Sequence, residues 1–150
     1  AMKLKVKGIT YDAAKSRALG PGGKIYNGTF MGEKATFMVF FNAKSRIVFG
    51  VSVELTYSSV ELARVPFTNI AEQLLKKYPK AVYGANKDSN GDTNGLTFSI
   101  PNEADTEKIG VIIQTLNNSQ SPLNDDCIIR LTYTDVENFK KSEALNNEDL

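Results

Sequence analysis

The sequence predicts an α+β fold in which an antiparallel sheet, or a pair of sheets, carries helices on one face and leaves a more polar face partly open. Three observations lead there. Residues 46–57 alternate, with Ile47, Phe49, Val51, Val53, Leu55 and Tyr57 on one side and Arg46, Val48, Gly50, Ser52, Glu54 and Thr56 on the other, the pattern of a strand buried on one face. The preceding segments repeat strand and turn in the manner of an antiparallel meander. Ile70, Ala71, Leu74, Leu75 and Tyr78 instead fall on one stripe at helical spacing.

Taken in order, residues 3–9 read as a strand with Leu4 and Val6 on one face and Lys3, Lys5 and Lys7 on the other, where lysines protect an outer strand from edge pairing. Asp12 caps a short helix over residues 13–19 that Gly20 and Pro21 stop. Strands follow at 25–30, 35–41 and 46–57, separated by turns at 31–34 and 42–45. Pro66 and Phe67 introduce the strongest helix, capped by Thr68 or Asn69, with Glu72 completing a capping box and Pro79 ending the run. Glu72, Gln73, Lys76 and Lys77 are left in water. Further strands are expected near 81–85, 96–100, 109–116 and 126–134, the last with Cys127, Ile129, Leu131 and Tyr133 facing inward. Asp135 caps a final helix using Val136 and Phe139, and residues from Ser142 onward read as a solvated tail.

A chain of 150 residues, 41% hydrophobic and 23% charged, fits one globular domain and excludes a disordered one. Within it, residues 1–65 and 66–150 share a helix-then-meander order, which suits a tandem duplication and equally an ordinary α+β domain. The first half holds ten Lys and Arg against four Asp and Glu; the second holds eight against thirteen. That opposition could join the halves or present a cationic face, but the basic residues lack interleaved aromatics and a recognition helix, which argues against nucleic-acid binding. The longest apolar run, residues 37–41, is too short to span a bilayer.

The absence of histidine removes Ser-His-Asp and Cys-His triads and His-ligated zinc. Cys127 has no partner for an internal disulfide, and its neighbours Ile128 and Ile129 give it the setting of a small apolar filler. Residues 20–24, Gly-Pro-Gly-Gly-Lys, fail as a phosphate loop because Ala18 and Ile25 occupy positions that need Gly and Ser or Thr. Asp88, Asn90, Asp92 and Asn94 alternate like calcium ligands, yet neither possible frame supplies the required glycine and terminal glutamate, so a polar turn accounts for them. Asp125 with Asp126, and Glu103 with Asp105 and Glu107, lie in polar surroundings that do not raise one acid of a pair. Tyr57, Tyr78, Tyr83 and Tyr133 are placed periodically, as core and rim residues are.

Residues 74–79, Leu-Leu-Lys-Lys-Tyr-Pro, leading to Tyr83-Gly84, the closing Ile129-Arg130-Leu131-Thr132-Tyr133-Thr134-Asp135 with Asn138, and residues 28–34, Gly-Thr-Phe-Met-Gly-Glu-Lys, resemble small exported proteins of Gram-negative bacteria. The likeness covers about two thirds of the chain and rests on short structural motifs; it implies an envelope or secreted protein and transfers no catalytic residue. In element order the tandem helix-plus-meander also resembles the β-lactamase inhibitor protein, whose concave sheet grips a partner, although that family's paired cysteines are absent. Ala1 ahead of Met2 reads as a processed or engineered start with no export signal in the sequence, so a cytoplasmic location stays compatible.

These readings converge on a non-enzymatic binding or envelope-associated module that meets a protein or glycan through an open sheet face containing Arg46, Ser52, Glu54, Thr56, Gln114, Arg130 and Thr132. No catalytic residue, metal or cofactor is expected. An enzyme using carboxylates or a tyrosine would instead require a deep pocket with perturbed acids. A structural subunit would reveal itself as an oligomer.

Overall fold

The computed structural model describes residues 8–87, 91, 93–99, 107–115 and 126–147. Its elements run β1 (Thr10–Tyr11), α1 (Ala13–Leu19), β2 (Gly23–Phe30), β3 (Glu33–Phe41), β4 (Val48–Tyr57), α2 (Val60–Lys77), β5 (Val82–Lys87), β6 (Thr93–Ser99), β7 (Glu107–Thr115), β8 (Cys127–Asp135) and α3 (Val136–Asn147). The strands form one eight-stranded sheet in the order β1-β2-β3-β4-β8-β7-β6-β5, and all neighbours are antiparallel. The first half of the chain therefore lays strands from one edge to the centre, and the second half does the same from the opposite edge. Their innermost strands, β4 and β8, pair across the middle.

Alternation sorts side chains between the two faces along β4 and β8, but the face expected to be wetter is itself closed in places: Ile25, Ser52 and Ile128, on the side away from Leu55, are 8%, 1% and 2% exposed. Ala35, Val53, Leu55, Tyr57, Ile109, Cys127, Ile129 and Leu131 share the apolar face, where Ala63 and Ile70 of α2 close a common core. Ile129 is 1% exposed and lies at the centre of that core. Phe139 of α3 packs edge-on against Phe49, placing α3 over the same face. α1 lies along the edge of β2 beyond the end of β1, where the hydroxyl of buried Ser16 accepts the Ile25 N–H at 2.8 Å and lies 3.3 Å from the Ile25 carbonyl. Asp12 caps α1 by accepting the Lys15 N–H, and the resulting hydrogen bonds hold its carboxyl below the ordinary aspartate range.

Three expected boundaries change. α2 begins at Val60 under a Ser59 cap, two turns before Pro66, which sits inside the helix. An interior proline removes one N–H donor. Fully buried Ala63 and buried Ile70 and Ala71 anchor the helix on both sides of that gap, so it continues. Residues from Ser142 onward are not a solvated tail as far as Asn147: they continue α3, and Ser142 is buried, its hydroxyl 3.2 Å from the Asn42 Nδ2. Asn42 simultaneously accepts the N–H groups of Lys44 and Ser45, so it ties the β3–β4 turn to α3. Arg46 precedes β4 and has a positive φ of 62°. The strand expected over residues 3–9 and the alternating Asp and Asn of residues 88–92 lie largely outside the described residues. Among the described residues no helix is long and apolar enough to cross a membrane.

Candidate functional site

The central pair of strands assembles the polar face. Their register sets Ser52 opposite Thr132, Glu54 opposite Arg130 and Thr56 opposite Ile128. Cross-strand neighbours on one face interact through their side chains, and here Ser52 and Glu54 each face a polar partner, whereas Thr56 faces Ile128. The Arg130 Nε donates to Glu54 Oε1 at 2.6 Å, and Nη2 lies 2.5 Å from the same oxygen. Beside them the Ser52 and Thr132 hydroxyls are 3.0 Å apart, and the Ser52 hydroxyl also lies 3.4 Å from the Leu131 carbonyl.

This cluster is graded in depth. Ser52 is 1% exposed, the Glu54 side chain is one-fifth exposed and the Arg130 side chain two-fifths exposed. Both Arg130 contacts fall on Oε1, and among the described residues nothing else bonds the second carboxylate oxygen or the remaining guanidinium N–H groups. In this partly wet setting the pair contributes at most about 1 kcal/mol to stability. Its sign reverses the charge asymmetry of the halves, since the acid comes from the basic half and the base from the acidic half.

Of the residues expected on this face, Ser52, Glu54, Arg130 and Thr132 meet, and Thr56 stands exposed one pair further along. Gln114 occupies β7 opposite Ile128. Arg46 does not belong: it lies in the turn, where its guanidinium stacks 5.2 Å from the Phe41 ring centroid. Strict alternation places Arg46 with Ser52 only if the strand extends back to it, and the irregularity between Phe40 and Phe41 ends that register.

The opposite face offers a feature that the sequence reading missed. The β2–β3 hairpin turns through Met31 and Gly32, at φ 53° and 82°, the left-handed pair required by a two-residue hairpin. Met31 is thereby held at the lip of a groove between the hairpin and α2. A cavity of about 350 Å³ is lined by Phe30, Met31, Ile70, Leu74 and Leu131, with Gln73, Lys76 and Lys77 at its margin. A smaller one of about 120 Å³ shares Phe30, Met31 and Ile70 and adds Glu33, Leu55, Tyr57, Pro66 and Asn69. Tyr57 directs into this end a buried hydroxyl that meets no full hydrogen-bond geometry with a described residue, although the Glu33 carboxylate lies near enough to act on it. Burial pushes its phenol up to about 12, with the Glu33 carboxylate acting in the same direction.

Cys127 begins β8, fully buried, and burial raises its thiol pKa, with Glu61 adding to the effect; it fills space as expected. Tyr78 and Tyr133 pack against the core, whereas Tyr83 is exposed on β5. Among the described residues no cluster of three or more His, Cys, Asp or Glu is placed to hold a metal. No protein-family model matches the chain, and neither the curated proteins nor the solved structures contain a significant match to it.

Proposed function

We propose that this protein is a non-enzymatic binding module, exported and associated with the cell envelope, that recognises a protein or glycan through the sheet face centred on Glu54 and Arg130. The observation that carries the reading is the preset Glu54–Arg130 pair, seated beside Ser52 and Thr132 on the face opposite α2 and α3. A charged pair held in place before binding loses little freedom on meeting a partner, and its unused donors and acceptor supply specificity. The resemblance to exported proteins supports the location.

The test compares the native chain with Glu54→Gln combined with Arg130→Gln, immobilised and exposed to an envelope extract and to a glycan array. The reading expects one partner class to be captured by the native chain and reduced about tenfold or more in the double variant, the loss typical of a central interface pair. Melting temperature should change little, because the pair contributes little to folding. Equal capture by both chains rules out this face.

A tyrosine- and carboxylate-dependent enzyme is the second reading, favoured by Tyr57 and Glu33 sharing one small cavity. A phenol at about 12 retains its proton near neutrality, so Tyr57 would act there as a hydrogen-bond donor to substrate.

A further inference from the structure

We propose that the groove between α2 and the β2–β3 hairpin binds a single-chain amphiphile with a carboxylate head, its apolar chain lying on Phe30, Ile70, Leu74 and Leu131 and its head at Lys76 and Lys77. The volume of about 350 Å³ falls in the range of small-molecule sites. A peptide laid in this groove would bring amide groups against a lining that is mostly hydrocarbon, and unpaired amides are costly to bury. An alkyl chain has no such groups, and each buried methylene favours binding by about 0.8 kcal/mol.

Charge selects the head group and its direction. Lys76 and Lys77 stand on the last turn of α2 at the margin of the larger cavity, and Lys76 forms no ion pair with a described residue. Two ammonium groups outweigh the half-charge of negative sign at a helix C-terminus. At the other end of the groove Glu33 repels an anion. Glu33 lines only the smaller cavity, and Lys76 and Lys77 only the larger, so a carboxylate has one favourable end.

Titration calorimetry with decanoate, decanol and decylammonium, each kept below its self-association concentration, tests the assignment. Decanoate should bind about fivefold tighter than decanol and tighter still than decylammonium, the increment expected of a partly exposed ion pair. Lys76→Gln combined with Lys77→Gln should bring decanoate down to decanol while leaving decanol unchanged. Gln73→Trp, at an exposed helix position on the groove margin, should weaken all three by filling the mouth. Absence of decanoate binding overturns the proposal, as does equal or tighter binding of decylammonium. A decanoate preference that survives loss of both lysines, or affinities untouched by Gln73→Trp, does so as well. None of these variants alters Glu54 or Arg130, so failure here leaves the sheet-face reading standing.

Discussion

The two halves of the sheet have mirrored strand order and opposite treatment of their outer edges. At the first edge the chain closes the ladder. Where β1 stops pairing, the Asp12 N–H donates to the Ile25 carbonyl at 2.9 Å and the Ser16 hydroxyl receives the Ile25 N–H, so a helix finishes what the strand began. At the other edge β5 is exposed along its whole length, with Val82 at 67% and Tyr83 at 58%. Exposed edge strands invite pairing with other chains, and short length or charge is the usual protection. β5 is six residues long and ends in Lys87. The difference teaches that an antiparallel meander can be completed locally only where sequence-adjacent groups reach its edge: α1 follows β1 directly, whereas α2 crosses from the sheet centre and leaves β5 beyond its span.

Breaking the closed edge should have the largest effect. Ser16→Ala removes the acceptor for the Ile25 N–H in a buried setting, and a buried orphan donor costs about 1 to 3 kcal/mol. Chemical denaturation should show that loss with an unchanged denaturant slope. The matching change on the open side, Asn86→Ala, removes an exposed hydrogen bond to Thr97 and should cost under about 0.5 kcal/mol. Equal costs would mean that the two edges are equivalent despite their appearance.

Glycine positions sharpen the contrast at a smaller scale. A Cβ at Gly28 of β2 would lie 3.1 Å from the Gly8 carbonyl oxygen and from Phe37 Cε2, and 3.2 Å from Ile9 Cγ1. Gly28→Ala should therefore destabilise by about 1 to 2 kcal/mol, the cost of modest overpacking. A Cβ at Gly84 of β5 meets nothing within 4 Å, and there Ala should be neutral or slightly stabilising through lower entropy of the unfolded chain. Thermal melts of the two variants decide it, and a reversed order would show that the packing around Gly28 yields more readily than its distances imply.

Much of this architecture is legible in the sequence because it is local. The Asp12 cap, the meander through β2, β3 and β4, and the inward set of β8 follow from period and turn chemistry alone. What escapes depends on distant residues. Pro66 looks like a helix start until Ala63 and Ile70 are seen to press both sides of it onto the sheet. Ser142 looks like part of a tail until Asn42, a hundred residues earlier, is found against it. Glu54 and Arg130 are assignable to a face by alternation, but their direct opposition needs the β4–β8 register, a pairing that no short-range signal specifies. The groove is hidden for a related reason. Lys76 and Lys77 read as solvated, and only the left-handed Met31 before Gly32 hints that the hairpin tip leans towards them.

The first half also contains a flaw that tests how completely it is closed. Tyr57 buries a hydroxyl beside Glu33 that meets no full hydrogen-bond geometry with a described residue, and burial, with the neighbouring Glu33 carboxylate, pushes its phenol up to about 12 from an ordinary 10.0. Below pH 10 both states keep the proton. Between pH 10 and 12 the unfolded chain releases it first and the folded chain holds fewer ways to match that gain, so stability falls as pH rises through this window. Two pH units between the states limit the fall to about 3 kcal/mol. Tyr57→Phe removes both the orphan hydroxyl and the titration: it should gain up to about 1 kcal/mol at pH 7 and lose less than the native chain between pH 10 and 12. Lysines that ionise in the same range are common to both chains and cancel in the difference. A destabilised Tyr57→Phe at pH 7 would show that the hydroxyl is satisfied after all, and that this half of the sheet is closed in its interior as well as at its edge.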